Sequence, residues 1–176
     1  MWYNVNMKFF SHFYPQKYIR SAYEIPYDKL YKKGYRGIIF DIDNTLVEHG
    51  APANEKAIGL FVNLHQLGFK TMVLSNNIEA RVKPFADEVG CMYIHRAGKP
   101  KSKNYLIALE KMETKPENTF YVGDQIFTDI WGANRVGITS FLVKQIDKKE
   151  EIQIIIKRYL ERPILHFYKR MKSEVK

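Results

Sequence analysis

The feature that most constrains this chain is a pair of aspartates at the end of an apolar run. Asp41 and Asp43 directly follow residues 37–40, Gly-Ile-Ile-Phe, a run that is typical of a buried strand. Like charges this close repel each other, and an apolar strand offers them little solvation. A fold retains such a pair when a cation or a reaction uses it, so the rest of the chain should supply what the two carboxylates need.

Short apolar runs alternate with helical patterns through the centre of the chain. The alternation predicts a parallel sheet covered on both faces, an α/β fold of the Rossmann-like three-layer sandwich type. Leu106, Leu109 and Met112 are predicted to face inward from the third helix. The strands are predicted at 37–40, 70–74, 92–94, 119–122 and 140–143, and the helices at 54–67, 79–89, 102–112 and 128–136.

The two ends of the chain differ from its centre in charge and composition. A length of 176 residues fits one domain over 1–176, with a core over about 37–143. A basic, aromatic lead is predicted over 1–36 and a basic helical segment over about 150–172, which Pro163 should interrupt or kink.

The net charge of +9 is concentrated at those ends. Residues 1–36 and 144–176 each carry a net charge of +5, whereas residues 37–143 carry −1. This distribution argues against nucleic-acid binding by the core and favours basic ends that meet an anionic surface. Neither a membrane-spanning run nor a signal peptide is evident, so we expect a cytoplasmic protein, with peripheral contact at an anionic membrane left open.

Polar side chains follow each of the predicted strands except the last. Because ligands bind beyond the carboxyl ends of parallel strands, these side chains should converge on one site. Carboxylate oxygens are the ligands that Mg²⁺ prefers, and a hydroxyl, amides and a lysine can hold phosphoryl oxygens. The converging groups are Asp41 and Asp43, Ser75, Asn76 and Asn77, Lys99, and Asp124 and Asp129.

The four segments resemble, in order and spacing, the motifs of the haloacid dehalogenase-like hydrolases. Residues 41–46 are similar to the first motif, DxDxT after an apolar strand, and residues 74–76 resemble the second. Lys99-Pro100 resembles the third motif, and residues 123–129, Gly-Asp-Gln-Ile-Phe-Thr-Asp, resemble the fourth, GDxxxxD. The resemblance covers about 37–143, and it implies the fold of that family and a phosphatase activity through an aspartyl-phosphate.

The resemblance also implies catalytic roles for three residues. Asp41 would be the nucleophile, Asp43 the general acid/base, and Lys99 the cation that neutralises the phosphoryl group and orients Asp41. Ser75 and the amide of Asn76 would bind the phosphoryl group together with Lys99. The presence of Asp43 distinguishes a phosphatase from a dehalogenase of the same superfamily.

The implied cofactor is Mg²⁺. Its ligands would be Asp41, the backbone carbonyl of Asp43, Asp124, and Asp129 directly or through water. Simpler interpretations stay open at this point: the segment 75–77 as a helix cap, Lys99 as a solvated loop residue and Asp129 as an acid in the first turn of a helix.

The motif spacing leaves no room for a cap domain. The segments between Asp43 and Ser75 and between Ser75 and Lys99 are each filled by one helix and one strand. The chain resembles the subfamily IIIA phosphatases, relatives of the mitochondrial phosphatidylglycerophosphate phosphatases, which implies a phospholipid head-group phosphomonoester as substrate. The alternatives are a phosphatase of soluble nucleotide or sugar phosphates and a non-enzymatic membrane- or RNA-binding protein, and a homo-oligomer is left open.

Overall fold

The sheet is built from six strands whose order places the first motif at its centre. A computed structural model describes residues 11–147 and 152–174. The strands are β1 Lys17–Ile19, β2 Gly37–Phe40, β3 Lys70–Leu74, β4 Met92–Ile94, β5 Thr119–Gly123 and β6 Thr139–Val143. All pair in parallel in the order β1-β6-β5-β2-β3-β4. All four residues of β2 are buried because β3 and β5 flank it and helices cover both of its faces.

Six helices cover the sheet in the described residues. They are α1 Tyr27–Lys32, α2 Glu55–Leu67, α3 Glu79–Val89, α4 Ser102–Lys111, α5 Trp131–Arg135 and α6 Ile152–Glu174. The side chain of Asn54 caps α2 by accepting a hydrogen bond from the N–H of Ala57 at 2.9 Å. Both α2 and α3 end at a glycine in the left-handed conformation, Gly68 and Gly90. The predicted three-layer α/β sandwich with a parallel sheet is confirmed.

Several local predictions were wrong. The predicted helix over 128–136 is a π-helical turn, Ile126–Ile130, followed by the short helix α5. Leu106 is exposed, whereas Leu109 and Met112 are buried as expected. The helix α6 continues through Pro163, so the predicted interruption is wrong, whereas the kink given as its alternative stays a prediction.

Apolar side chains fill both faces of the sheet. One face packs Phe40 and Phe120 against Phe61 of α2, and the other packs Met72 and Tyr121 against the side chains of α4 and α5. These two layers hold β2 and β5 firmly, so the groups that follow these strands start from a rigid frame.

The chain ends contribute to the packing as far as they are described. Tyr27 of α1 lies in an aromatic cluster with Phe40, Phe69 and Phe120, so part of the basic lead packs on the core. The predictions for residues 1–10, and for 150 and 151 at the start of the C-terminal segment, lie outside the described residues. Within the described part, no helix is both long enough and apolar enough to cross a membrane.

Candidate active site

The groups of the four motifs meet at the carboxyl edge of the sheet. Asp41 follows β2, Ser75 follows β3 and Asp124 follows β5, and these three strands are neighbours in the sheet. A cleft of about 270 Å³ opens there. Its lining includes Asp41, Asp43, Ser75, Asn76 and Lys99, together with Ile154 and Lys157 of α6.

Lys99 lies at the centre of a buried network of hydrogen bonds. Its Nζ donates to Oδ1 of Asp41 at 2.6 Å and to Oδ1 of Asp129 at 2.7 Å. The Tyr121 hydroxyl lies 3.0 Å from Lys99 Nζ and donates to Asp129 at 3.0 Å. Burial alone would lower the pKa of Lys99, but the charges of Asp129 and Asp41 raise it, so the side chain stays an ammonium ion.

The surroundings of Asp41 disfavour the charged form of its carboxyl. Burial raises the pKa of its carboxyl well above the usual range, and the neighbouring Asp129 and Asp124 raise it further, while Lys99 counteracts them. The carboxylate therefore needs positive charge nearby in order to stay ionised. Lys99 supplies part of that charge.

Asp124 and the loop that follows it are held by the C-terminal helix. Arg158 of α6 forms an ion pair with the Asp124 carboxylate and also donates to its backbone carbonyl. The buried Glu161 accepts hydrogen bonds from the N–H groups of Ile126 at 2.6 Å and Phe127 at 3.3 Å. Arg158 and Glu161, which also contact each other at 3.3 Å, are here called the clamp.

Three carboxylates form a cluster that fits a divalent cation. One oxygen each from Asp41, Asp124 and Asp129 lies within 4.8 Å of the others, and all three residues are buried. Lys99 and Arg158 contribute two positive charges against three negative ones. An all-oxygen donor set with unbalanced negative charge suits a hard divalent cation such as Mg²⁺.

The Asp43 carboxylate lies outside this cluster. It accepts hydrogen bonds from the N–H of Gly50 at 2.9 Å and from Arg81 of α3 at 2.8 Å. Burial raises the pKa of Asp43, but the hydrogen bonds from Gly50 and Arg81 outweigh it and lower the pKa below the usual value. This position agrees with an acid/base role in which the side chain is not a metal ligand, a role that stays a prediction.

Asn76 of the second motif holds the backbone of Lys99, in the third motif, by two hydrogen bonds. The Asn76 side chain accepts a hydrogen bond from the N–H of Lys99 at 2.7 Å and donates to its carbonyl at 3.3 Å, so it fixes the backbone of Lys99. Ser75 is buried, and its Oγ accepts from the N–H of Asn77 at 3.1 Å. Because that oxygen acts as the acceptor, the O–H of Ser75 can be donated to a ligand in the cleft.

Four residues of the site carry no motif signal. Tyr121 looks like an ordinary strand residue, and Arg81 is one of many cations on helix surfaces. The sequence does hold a signal for the clamp: Arg158 and Glu161 are three apart, at helical spacing, within the mostly apolar run 152–165. Which side of α6 faces the sheet was not deducible from that spacing.

Substitution of Gly123 tests how closely its backbone packs against Asp129 in the fourth motif. A Cβ at this position would lie 2.5 Å from Cγ and Oδ2 of Asp129. We expect Gly123→Ala to displace the Asp129 carboxylate from Lys99, costing about 2 kcal/mol of unfolding free energy or more and most of the activity. Urea unfolding and phosphate-release assays measure the two effects.

Gly59→Ala is the matched control for this substitution. Gly59 lies inside α2, and a Cβ there would meet no atom within 4 Å. Alanine should stabilise the helix by about 0.5–1 kcal/mol and leave activity intact. Equal behaviour of the two variants would contradict the close packing of Gly123 against Asp129.

The fold and the site together place the chain among known proteins. A family model described as haloacid dehalogenase-like hydrolase matches residues 52–137. "Probable phosphatase YqeG" of Bacillus subtilis is 36% identical over 159 residues, which cover 90% of this chain and 92% of that protein. The chain belongs to the haloacid dehalogenase-like hydrolases.

Two further proteins are similar to this chain. "Phosphatidylglycerophosphate phosphatase 1, chloroplastic/mitochondrial" of Arabidopsis thaliana is 27% identical over 80% of this chain and 43% of its own length. The structure of cobalt-bound deoxy-D-mannose-octulosonate 8-phosphate phosphatase (YrbI) from Haemophilus influenzae matches with a TM-score of 0.51 and 14% identity, over 65% of this chain and 70% of that one. At that identity the likeness shows the fold alone.

Proposed function

We propose that this chain is a Mg²⁺-dependent phosphomonoester hydrolase that forms an aspartyl-phosphate on Asp41. The observation that carries the proposal is the buried ion-pair network of Asp41, Lys99 and Asp129, which meets Ser75 at one open cleft. The word phosphatase in the names of two relatives supports it. An intact set of charged groups also weighs against a non-enzymatic binding protein, which would not need the nucleophile.

The first step is attack by an Asp41 oxygen on phosphorus. The bond between phosphorus and the ester oxygen breaks as the new one forms, and the leaving alkoxide takes a proton from Asp43. In the second step Asp43 removes a proton from water, which attacks the same phosphorus. The bond to Asp41 then breaks, releasing inorganic phosphate and restoring the carboxylate.

Asp43 is better prepared for the second step than for the first. Arg81 and the Gly50 N–H hold it in the ionised form, which is the form that activates water. To act as the acid, its carboxyl must carry a proton, and this weakens its ion pair with Arg81. Release of Asp43 from Arg81 on substrate binding is therefore part of the proposal.

Lys99, Ser75 and the backbone N–H of Asn76 would hold the phosphoryl oxygens as charge moves onto them. Asp41, Asp124 and the backbone carbonyl of Asp43 would hold the Mg²⁺ ion, and Asp129 would assist them directly or through water. The bound ion would supply the positive charge that Asp41 needs for ionisation and would polarise the phosphoryl group.

A phospholipid head group is the proposed substrate class. The cleft is open, and within the described residues only Ile154 and Lys157 of α6 reach its rim from outside the motif core. This supports an uncapped single domain over the whole chain that accepts a large substrate. The name of the Arabidopsis relative adds phosphatidylglycerophosphate as the first lipid to test.

Hydrolysis of p-nitrophenyl phosphate tests the activity itself. We expect Mg²⁺-dependent release of phosphate that is lost in EDTA and restored by added Mg²⁺. Absence of turnover with Mg²⁺, Mn²⁺ and Co²⁺ on every phosphomonoester tried would leave a binding role as the better description.

A substrate panel tests the lipid proposal separately. Phosphatidylglycerophosphate in phosphatidylglycerol vesicles is compared with its deacylated head group and with nucleotide and sugar phosphates. We expect kcat/KM for the lipid to exceed every soluble substrate by about tenfold or more, equivalent to about 1.4 kcal/mol. A preference for a soluble phosphate would overturn the lipid assignment but keep the phosphatase.

A further inference from the structure

Near the active site, the helix α6 has charged side chains on its inner side and exposed apolar side chains on its outer side. The clamp residues Arg158 and Glu161 face inward, where they bind the fourth-motif loop. Farther along, Ile164 and Tyr168 are buried on the same side. A helix on the surface of a globular protein normally points its apolar stripe inward and its charges outward. Over its first three turns, α6 places two charged side chains on the inward-facing side instead.

The outer side of those turns is apolar and exposed. At about 100° per residue, Ile155, Ile156, Tyr159 and Leu160 share one side of the helix. Ile156 is 58% exposed and Leu160 is 61% exposed, and Phe167 extends the same stripe one turn past Pro163. These five exposed side chains, residues 155, 156, 159, 160 and 167, are here called the outer stripe.

Cations border the outer stripe. The Arg162 guanidinium lies 4.4 Å from the ring centroid of Tyr159, and Lys169 lies 5.3 Å from that of Tyr18 on β1. A groove of about 780 Å³ between α6 and the β1 and β6 strands adds Arg20 and Lys144 to this border. The sequence of α6 holds six basic and two acidic residues.

The helix that carries the outer stripe also borders the cleft. Ile154 and Lys157 of the same helix line the cleft that contains Asp41, while Ile155 and Tyr159 line the groove on the other side. A surface that covers the outer stripe would therefore be separated from the cleft by the width of one helix, roughly 10 Å.

We propose that the outer stripe and its bordering cations dock on an anionic lipid surface. Apolar side chains between cations match the acyl boundary and the charged head groups of such a surface. A second copy of this chain would place two strongly basic helices against each other, which charge repulsion opposes. The inference rests on the proposed lipid phosphatase for its purpose, since docking brings head-group phosphates to the cleft, but it is measured without turnover.

Vesicle co-sedimentation tests the docking. The full chain is mixed with vesicles of phosphatidylcholine, with and without phosphatidylglycerol, at low and high salt. We expect binding only when phosphatidylglycerol is present, and weaker binding as salt rises. The double variant Ile156→Ser/Leu160→Ser should lower the partition coefficient by about tenfold or more.

A matched control separates docking from general loss of apolar surface. Val62 is 50% exposed on α2 and Leu106 is 51% exposed on α4, so neither residue belongs to the outer stripe. Val62→Ser/Leu106→Ser should leave the partition coefficient unchanged. Both double variants should hydrolyse p-nitrophenyl phosphate like the wild type, because none of the four residues lines the cleft.

Three results would overturn the docking proposal. One is no binding of the wild type to anionic vesicles, and another is an equal loss of binding in the two double variants. The third is concentration-dependent dimerisation in the absence of lipid that Ile156→Ser/Leu160→Ser abolishes, which assigns the stripe to a second copy. If vesicles bind but no phosphomonoester is hydrolysed, the proposed function fails and the docking surface stands.

Discussion

Asp41→Asn is expected to lower phosphomonoester turnover by about 1,000-fold or more, because in the proposed mechanism the Asp41 carboxylate is the group that bonds to phosphorus. Asparagine keeps the shape of the side chain, but its amide is too weak a nucleophile to form the acyl-phosphate. The loss should appear in kcat with soluble substrates as well as with lipid. Phosphate release over a range of Mg²⁺ concentrations measures it.

The same variant should fold as well as the wild type. Asp41 lies in a cluster of three buried carboxylates, so removing its charge relieves repulsion, and Lys99 keeps its bonds to Asp129 and Tyr121. We therefore expect an unfolding midpoint in metal-free buffer that is equal to or higher than that of the wild type. Inactivity can then be assigned to chemistry rather than to misfolding.

Asp87→Asn is the matched control for Asp41→Asn. Asp87 forms an exposed ion pair with Lys83 on α3, and neither residue lines the cleft. Asp87→Asn should change neither turnover nor the unfolding midpoint measurably.

A second readout for Asp41→Asn is the acid-stable, hydroxylamine-sensitive phosphoenzyme, which rapid quenching should trap in the wild type and not in the variant. Turnover that survives in Asp41→Asn would rule out the covalent step.

The sequence predicts the middle of the sheet well because buried parallel strands have a simple pattern. The run at 37–40 is apolar throughout and the run at 70–74 ends in Met-Val-Leu, and short apolar runs of this kind between helices are typical of buried parallel strands. β1 has only three residues, two of which are exposed, and it pairs with β6 more than a hundred residues later. Such an edge strand has neither length nor pattern to reveal it.

The candidate site is predictable only where a motif carries it. Asp41, Ser75, Lys99 and Asp124 follow strands, so the topology brings them together. The clamp is different, since Arg158 lies 34 residues beyond Asp124 and joins it only after α6 has packed. The exposed apolar side of α6 is not predictable either, because the spacing of its apolar residues does not say which side faces the core, and Ile156 and Leu160 face outward.

Lys99→Met is expected to be strongly destabilising as well as inactivating. The ammonium group pairs with Asp41 and Asp129 in a site where all three side chains are buried. Removing it leaves two like charges without their cation, and breaking a buried pair in this way costs about 3–5 kcal/mol. Urea unfolding in metal-free buffer should show that loss, and turnover should fall by about 100-fold or more.

Lys70→Met is the matched control. Lys70 forms an ion pair with Glu113 in which both side chains are exposed, so the loss of this pair should alter stability little.

Removing one of the repelling carboxylates should restore much of the stability that Lys99→Met loses, so Lys99→Met/Asp129→Asn should be more stable than Lys99→Met alone. The double variant should remain inactive, because it still lacks the cation that is proposed to hold the phosphoryl group.

Added Mg²⁺ should separate the two roles of Lys99. In the proposed metal site, a divalent cation held by Asp41, Asp124 and Asp129 would replace the missing positive charge, so Mg²⁺ should raise the unfolding midpoint of Lys99→Met more than that of the wild type. It should not restore turnover, because an ion among the carboxylates would not take the place of the ammonium group that is proposed to hold the phosphoryl oxygens. Full recovery of the activity of Lys99→Met with Mg²⁺ would mean that Lys99 only balances charge. An unfolding midpoint of metal-free Lys99→Met equal to that of the wild type would mean that the two ion pairs of Lys99 contribute nothing to stability.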